Sequence, residues 1–290
     1  MKFIKIILLF LIFGYIFYDF DVAKLDFSKL SIFTMIQTAF ILFIGQMILS
    51  IRFMKIIDLS FKPAYETIVI SNALNIFLPA KLAEILKAVY LKKFYNYDYN
   101  KGLSSVFIER FFDVIMLFFI VLGWGYFYFT DELIKNSIMI LSLFVIAVIL
   151  FFNSLIIEKF IPSFFLNFYL NTKSEFKKSH ILIIWSGLLW LIYVSSYWSF
   201  FNFLNFYQIL ELFIFSTIAL SLPLAPGGIG TFEGVIVFYL SNYGINKEEA
   251  FIFASIYHLL IFLVDFLMFY VLIIRDKKFS SIKNLMKEIK

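Results

Sequence analysis

The sequence predicts an all-α polytopic membrane protein with six full transmembrane helices and two opposed re-entrant helical hairpins in an inverted-repeat architecture. Three observations support this prediction. The 290 residues are 62% hydrophobic and only 16% charged, whereas soluble chains carry about 25% charged residues. Apolar runs near the ~20 residues needed to cross a bilayer recur from end to end. Two further apolar segments are interrupted by proline. We therefore expect a single transmembrane domain over residues 1–290.

Six uninterrupted apolar runs are predicted to be full spans. The first follows Lys2 and Lys5 and resembles a secretory signal peptide, but no small-x-small cleavage site follows it. We therefore interpret this run as a retained span. The six predicted spans cover about 4–20, 31–51, 103–129, 136–157, 180–204 and 250–274.

Two other apolar segments, 64–93 and 209–242, are broken at Pro79 and Pro226. Proline removes a helix hydrogen bond, and irregular backbone at membrane depth needs protein or a watery cavity to satisfy it. Each half is only about 11 to 15 residues long, which is too short to cross alone. We interpret both segments as re-entrant helical hairpins. An ordinary span with a proline kink is the alternative, and it would change the topology.

The distribution of basic residues favours the hairpin interpretation. If the N-terminus is cytoplasmic and both broken segments return to the side they entered, 19 of the 25 lysines and arginines fall at cytoplasmic ends. Such a bias is the usual one for membrane proteins. Full crossings would instead place the basic loop 92–101 outside. The predicted location is the cytoplasmic (inner) cell membrane, with both termini cytoplasmic.

This topology divides the chain into two halves of opposite orientation. Residues 1–129 and 130–290 would each contain three crossings and one hairpin, so the second half is inverted relative to the first. Inverted repeats with broken helices that meet near the midplane are a recurring design of secondary transporters. We therefore expect Pro79 and Pro226 to lie close together.

The first hairpin carries charge next to its break. Residues 72–93 read NALNIFLPAKLAEILKAVYLKK, with Lys81 and Glu84 three residues apart on one side of the second half-helix. The N-terminus of that half-helix directs free N–H groups into the membrane, where an anion such as a lipid phosphate would bind. The alternative is that Lys81 and Glu84 only neutralise each other.

The second hairpin has a glycine-rich break. Residues 224–235 read LAPGGIGTFEGV, and Gly227 and Gly228 allow positive φ angles and close backbone approach. Thr231 is predicted to cap the half-helix that carries Glu233. A simple turn without a binding role is the alternative.

Two more groups of ionisable residues lie in predicted spans. Glu109, Arg110 and Asp113 can face one side of a helix and form a charge network, which would either latch a hairpin to the span or contact the substrate. His258 and Asp265 are seven residues apart and share a face. Asp265 near the centre of a span indicates a proton or ion partner, and a neutral, hydrogen-bonded carboxyl is the alternative.

Several classes of function are not expected. The chain has no cysteine and two histidines, so we expect no metal site and no cofactor. The predicted extramembrane segments are too short to form an active site for a soluble donor, so we expect no enzyme. Segment 158–179 is predicted to be an interfacial amphipathic helix, with a plain connecting loop as the alternative.

The chain resembles the lysylphosphatidylglycerol synthase transmembrane, or flippase-like, family, which includes the membrane half of the bacterial multiple peptide resistance factor. The resemblance covers nearly the full length and rests on LPAKLAE (78–84), ERFFD (109–113) and PGGIGTFEG (226–234). The family pattern usually has glycine and arginine where Ala80 and Lys81 stand, glycine at Ala83, and arginine at His258.

The resemblance implies movement of a charged or polyprenyl-linked (glyco)lipid between membrane leaflets. The predicted partner is a membrane phospholipid or a polyprenyl-linked lipid, a homodimer is left open, and no nucleic acid is expected. The alternatives are a polyprenyl or lipid-modifying transferase and an ion-coupled small-solute transporter. Substrate binding is assigned to Lys81, Glu84, Arg110, Gly227, Gly228, Thr231 and Glu233. Structural or coupling charges are Glu109, Asp113, His258 and Asp265.

Overall fold

The computed structural model describes residues 2–78, 82–128, 161–222 and 224–276, together with 136, 139, 142, 143, 146–148 and 150. Most of the predicted span at 136–157 therefore lies outside the described residues, as do Pro79, Ala80 and Lys81. All regular secondary structure within the described residues is helical, which agrees with the predicted all-α class.

The described residues form ten α-helices. In chain order they are α1 (Lys2–Phe17), α2 (Ile32–Ile57), α3 (Phe61–Asn75), α4 (Leu82–Tyr95), α5 (Tyr99–Tyr128), α6 (Ser163–Phe176), α7 (Ser179–Phe200), α8 (Phe206–Ser221), α9 (Thr231–Asn242) and α10 (Lys247–Asp276). Two short 3₁₀ turns, Val22–Lys24 and Pro226–Gly228, lie between them. Five of the six predicted spans correspond to α1, α2, α5, α7 and α10.

Three of these helices are long and apolar enough to cross a membrane: Ile32–Ile57, Ser179–Phe200 and Lys247–Arg275. Their outward faces carry large apolar side chains, among them Phe33 and Ile184, which are 75% and 68% exposed. Apolar side chains at these exposures suit contact with lipid rather than with water.

The first broken segment consists of two antiparallel helices. α3 and α4, of 15 and 14 residues, are separated by residues 76–81. Near the turn, Ser71 Oγ donates to the Ala83 carbonyl at 2.9 Å. At the open end, Tyr90 Oη donates to Glu66 Oε2 at 2.7 Å, and Tyr95 donates to the same oxygen. α3 therefore ends before the predicted break, α4 begins after it, and these contacts make the two helices antiparallel.

The second broken segment has the same construction. α8 and α9 contain 16 and 12 residues, and the Pro226–Gly228 turn lies between them. Tyr239 near the end of α9 donates to Glu211 and to the Gln208 carbonyl near the start of α8, so these helices are also antiparallel. In both hairpins, tyrosines of the second helix bond a glutamate of the first.

The chain packs as two compact units. The first comprises Met1–Gln46, Val69–Glu84 and Ile192–Lys290. Within it, α9 packs against α1, α8 and α10. Gly234 permits the close approach of α1, because a Cβ at this position would lie 2.5 Å from Ile12 Cγ2.

The second unit comprises Met47–Ile68 and Ile85–Leu191. Within it, α6 packs along α5: the rings of Phe111 and Phe176 lie 5.1 Å apart, and Ser104 Oγ donates to the Phe168 carbonyl at 3.1 Å. Most of segment 158–179 is therefore a packed helix, and the alternative of a plain connecting loop is wrong.

Candidate functional site

A cavity of about 200 Å³ lies in the first unit, between the tips of the two hairpins and one face of α10. Its walls combine apolar side chains with polar groups. The lining residues are Asn72, Asn75, Ile76 and Leu78 from the first hairpin, Leu220, Leu222, Ala225, Gly227 and Gly228 from the second, and Phe262 and Asp265 from α10. Gly227 and Gly228, which the sequence assigns to substrate binding, thus line a real cavity.

The two hairpin tips touch at Gly227. This residue has φ +62°, and a Cβ here would lie 3.3 Å from the Ile76 carbonyl and 3.0 Å from the Phe262 ring. Only glycine combines this conformation with so close an approach. Pro79 is outside the described residues, so its predicted distance to Pro226 stays a prediction. Among the described residues of the two tips, Gly227 of the second hairpin contacts Ile76 of the first.

Among the described residues that line the cavity, Asp265 is the one with an ionisable side chain. It is only 8% exposed, it lines the cavity, and no hydrogen bond or ion pair joins it to another described residue. Ionisable groups inside membrane segments normally have a partner and mark substrate or ion pathways. Asn72 supplies an amide nearby and donates to Gln46 Oε1 at 2.8 Å. The cavity therefore offers an acceptor to a ligand that carries hydrogen-bond donors.

Glu233 and His258 lie behind the glycine turn. His258 Nδ1 is 2.6 Å from Glu233 Oε1, and His258 Nε2 is 3.0 Å from the Gly227 carbonyl oxygen. The Gly230 N–H donates to Glu233 Oε2 at 2.6 Å. Both residues are buried, with 8% of Glu233 and 3% of His258 exposed. The pair thus joins α9, α10 and the turn that forms one cavity wall.

The predicted helix cap at Thr231 is wrong. Thr231 is the first residue of α9, and Gly230 is the capping residue. Glu233 is the third residue of α9. Its side chain reaches back and accepts a hydrogen bond from the Gly230 N–H, which satisfies one of the free donors at this helix end. Thr231 Oγ1 is buried and has no hydrogen-bond partner among the described residues.

The second unit holds a cluster of five charged side chains, which we call the charge cluster: Arg52, Lys87, Glu109, Arg110 and Asp113. Arg52 bonds Asp113 at 2.6 Å, and Lys87 bonds Glu109 at 2.7 Å. Arg110 reaches Glu109 at 3.0 Å and Asp113 at 3.2 Å. The predicted network of Glu109, Arg110 and Asp113 is confirmed. Because Lys87 belongs to α4, the cluster also latches the first hairpin to α5.

Sequence reasoning missed the roles of Arg52 and Lys87. The predicted topology places both among the basic residues at cytoplasmic helix ends, and helical spacing places Lys87 on the same side of α4 as Glu84. Their side chains are almost completely buried in ion pairs. The spacing of an isolated helix gives no information about partners on other helices. A usable signal was present for Asn72 and Asn75, two amides three residues apart in an apolar helix.

Glu84, which the sequence assigns to substrate binding, lies buried in the first turn of α4.

The helical hairpins, the apolar helices and the charges buried within them define a transmembrane protein whose described secondary structure is helical. The chain belongs to the family described as the lysylphosphatidylglycerol synthase TM region, whose model matches residues 2–268. Over 220 residues it is 29% identical to a UPF0104 membrane protein of Methanocaldococcus jannaschii. This match covers 68% of the present chain and 93% of the relative. No solved structure matches the chain. The family resemblance predicted from the three motifs is confirmed.

Proposed function

We propose that this protein is a lipid flippase that moves a charged or polyprenyl-linked lipid between membrane leaflets by alternating access. The observation that carries the proposal is the cavity at the hairpin tips, which is lined by Asp265, a buried carboxyl without a partner among the described residues. Membership of a membrane family linked to lipid handling supports the same activity.

The walls of the cavity favour a lipid over a small solute. The cavity is partly open, and Leu78, Leu220 and Leu222 contribute to its wall beside the polar groups. Such a mixed wall suits the junction between a polar headgroup and an acyl or prenyl chain. A small polar solute is better served by an enclosed site with several converging polar groups.

The polar groups that line the cavity and the charge predicted at the first hairpin break suggest the class of headgroup. Asp265 and the amides of Asn72 and Asn75 suit a headgroup with ammonium or hydroxyl donors. Lys81, from the sequence, supplies a cation for a phosphate. The proposed substrate therefore carries both a phosphate and hydrogen-bond donors, as zwitterionic and glycosylated lipids do. The proposed activity is transport without covalent change, and a lipid-modifying transferase is the competing class.

The proposed topology has six spans, two opposed re-entrant hairpins and both termini in the cytoplasm of the cell. Single cysteines in this cysteine-free chain test it. Asp98→Cys and Ser174→Cys replace exposed residues expected inside, and Ser28→Cys replaces an exposed residue expected outside. An impermeant maleimide added to intact cells should label only Ser28→Cys. Labelling of either inner position would contradict the topology.

Reconstitution tests the function. Vesicles should contain the purified protein and a fluorescent phosphatidylethanolamine or glycosylated prenyl lipid, and a membrane-impermeant quencher should report its movement. Loss of one hydrogen bond to a charged group costs roughly 1.5–3 kcal/mol, so Asp265→Asn should slow movement by about ten- to a hundred-fold. Asp19→Asn, at an exposed loop residue, is the matched control and should move lipid at the wild-type rate.

Two results would overturn the proposal. One is the absence of movement of every lipid tested by a monodisperse wild-type protein. The other is a normal rate for Asp265→Asn, which would remove the cavity from the transport path and leave the family assignment without a site.

A further inference from the structure

We propose that Glu233 and His258 form a proton-binding site whose occupancy controls the cavity, so that lipid movement is coupled to protons. The inference rests on the proposed function for its transport consequence, while the proton site itself stands on geometry alone. It concerns a pair of side chains that do not line the cavity directly but hold its glycine wall.

The imidazole of His258 faces two acceptors. Nε2 lies 3.0 Å from the Gly227 carbonyl oxygen, which can only accept, so Nε2 carries a hydrogen and donates. Nδ1 lies 2.6 Å from Glu233 Oε1. A contact this short needs a hydrogen between the two atoms.

Two arrangements satisfy both contacts. Either His258 is a cation and Glu233 an anion, or neutral His258 accepts a hydrogen bond from a protonated Glu233. Both arrangements hold one proton between the carboxyl and Nδ1, and both make the pair neutral. If that proton leaves, the one hydrogen left on the imidazole can serve only one of the two contacts. Either the Nδ1 lone pair then faces the Glu233 carboxylate at 2.6 Å, or the Nε2 lone pair faces the Gly227 carbonyl oxygen at 3.0 Å. Each alternative is repulsive, so the described geometry belongs to the proton-loaded form of the pair.

The pair controls the cavity through the glycine turn. His258 holds the Gly227 carbonyl, and Glu233 holds the Gly230 N–H, so both ends of the turn are bonded to this one pair. Gly227 packs against Ile76 of the other hairpin and against Phe262. Loss of the proton therefore frees one side of the turn at the place where the two hairpin tips touch.

The surroundings of His258 contain few other titratable groups. The rings of Phe232 on α9 and Phe262 on α10 lie 4.6 and 4.3 Å from the imidazole. Tyr257, its neighbour on α10, bonds Ser196 of α7. Asp265 lies two helical turns farther along α10 and lines the cavity. Among the described residues, Glu233 is thus the ionisable group that contacts His258, and Asp265 is the next group on the same face.

Histidine is the residue type whose charge changes near neutral pH. An arginine could donate to both Glu233 and Gly227 without ever releasing a proton. His258→Arg is therefore a matched variant that can still bond both partners but carries a fixed positive charge and cannot release a proton.

The first experiment observes the proton itself. The chain has two histidines, and His180 is exposed at the start of α7, so His180→Gln leaves a single imidazole. Nitrogen-15 NMR of this protein in lipid nanodiscs, between about pH 5 and 9, reports the protonation and tautomer of His258. We expect one titration step, and Glu233→Gln should shift it. A single unchanging state across the whole range would overturn the proton site.

The second experiment measures coupling with the fluorescent phosphatidylethanolamine. A single-proton equilibrium changes about tenfold per pH unit, so a one-unit gradient across the vesicle should change the wild-type rate by up to about tenfold. His258→Arg should show a rate that is independent of the gradient. An equal gradient dependence in His258→Arg would overturn the coupling.

The two proposals fail in different ways. If His258 titrates and no lipid moves, the lipid proposal fails and the proton site stands. If wild-type protein moves lipid at a rate that ignores the gradient, the coupling fails and the lipid proposal stands.

Discussion

The charge cluster of the second unit and the ionisable residues at the cavity of the first unit differ in how completely their charges are paired. In the charge cluster, Lys87 and Glu109 have fully buried side chains and lie 2.7 Å apart, and Asp113 is bonded by Arg52. At the cavity, Asp265 is buried without a partner among the described residues. The first arrangement holds helices together, and the second has a carboxyl available to a ligand.

This difference gives a rule for interpreting buried charges in a transmembrane helix. A buried charge that is hydrogen-bonded to a counter-charge holds one arrangement of helices. Removing one partner destabilises the fold, because the other charge is then buried and uncompensated. A buried charge without a counter-charge is costly, and it persists in a membrane segment where a substrate, ion or proton makes use of it. Changes in the charge cluster should therefore affect stability first, and changes at the cavity should affect transport first.

The largest expected effect is on stability, at Glu109. Glu109→Gln removes the carboxylate that accepts from Lys87 and Arg110, so it should lower the free energy of unfolding by about 3–5 kcal/mol. The measurement is the thermal unfolding midpoint in detergent. Glu249→Gln is the matched control, because Lys29 and Glu249 also lie 2.7 Å apart but Lys29 is 57% exposed. It should change stability by about 0.5 kcal/mol or less. Equal losses in both variants would break the comparison.

The next effect is on transport, at Lys81. This residue is predicted to bind the lipid phosphate, and a charge-assisted contact is worth roughly 1.5–3 kcal/mol. Lys81→Ala should therefore slow lipid movement by about ten- to a hundred-fold while unfolding is unchanged, and Lys81→Arg should keep much of the rate.

Glu84→Gln separates the two interpretations of Lys81. If Lys81 only pairs with Glu84, both single changes should destabilise the protein, and the double change should restore most of the loss. Full transport by a stable Lys81→Ala protein would remove Lys81 from the site.

The smallest expected effect is at Gly228 in the cavity wall. Gly228 has φ +77°, and a Cβ would lie 2.6 Å from Leu220 Cδ2, a side chain that also lines the cavity. Gly228→Ala should cost about 1–2 kcal/mol for the left-handed backbone and should also displace Leu220. Gly244→Ala is the control, since φ is +80° with open space around it. Both should lose the stability that the left-handed backbone costs, Gly228→Ala should lose somewhat more because Leu220 must move, and only Gly228→Ala should slow transport. Equal transport rates would show that the glycine wall is not part of the path.

Much of the helical architecture could be predicted from the sequence. Apolar runs of sufficient length predicted α1, α2, α5, α7 and α10, because a helix in lipid must satisfy its backbone hydrogen bonds internally. Prolines at 79 and 226 predicted the two helix breaks. The family motifs predicted the confirmed family. The six crossings, the membrane depth of the hairpins and the repeat halves 1–129 and 130–290 stay predictions.

The candidate site was predictable only in part. Helical spacing placed Glu109, Arg110 and Asp113 together, because side chains three and four residues apart share a face. Spacing also put His258 and Asp265 on one face of α10. It gave no indication that Glu233 would contact His258, or that Gly230 and not Thr231 would be the capping residue of α9, with its N–H bonded to Glu233.

By itself, the sequence determined the helices, their breaks and the family, since each depends on local composition and spacing along one helix. Only the tertiary structure decided which buried charges are paired. Arg52 meets Asp113 across 61 residues of chain, and Lys87 meets Glu109 across 22. Gly227 and Ile76, which both line the cavity, are likewise in contact although they lie far apart in the sequence. Such pairings depend on how separate helices pack against one another, and the pattern within any one helix does not specify its neighbours.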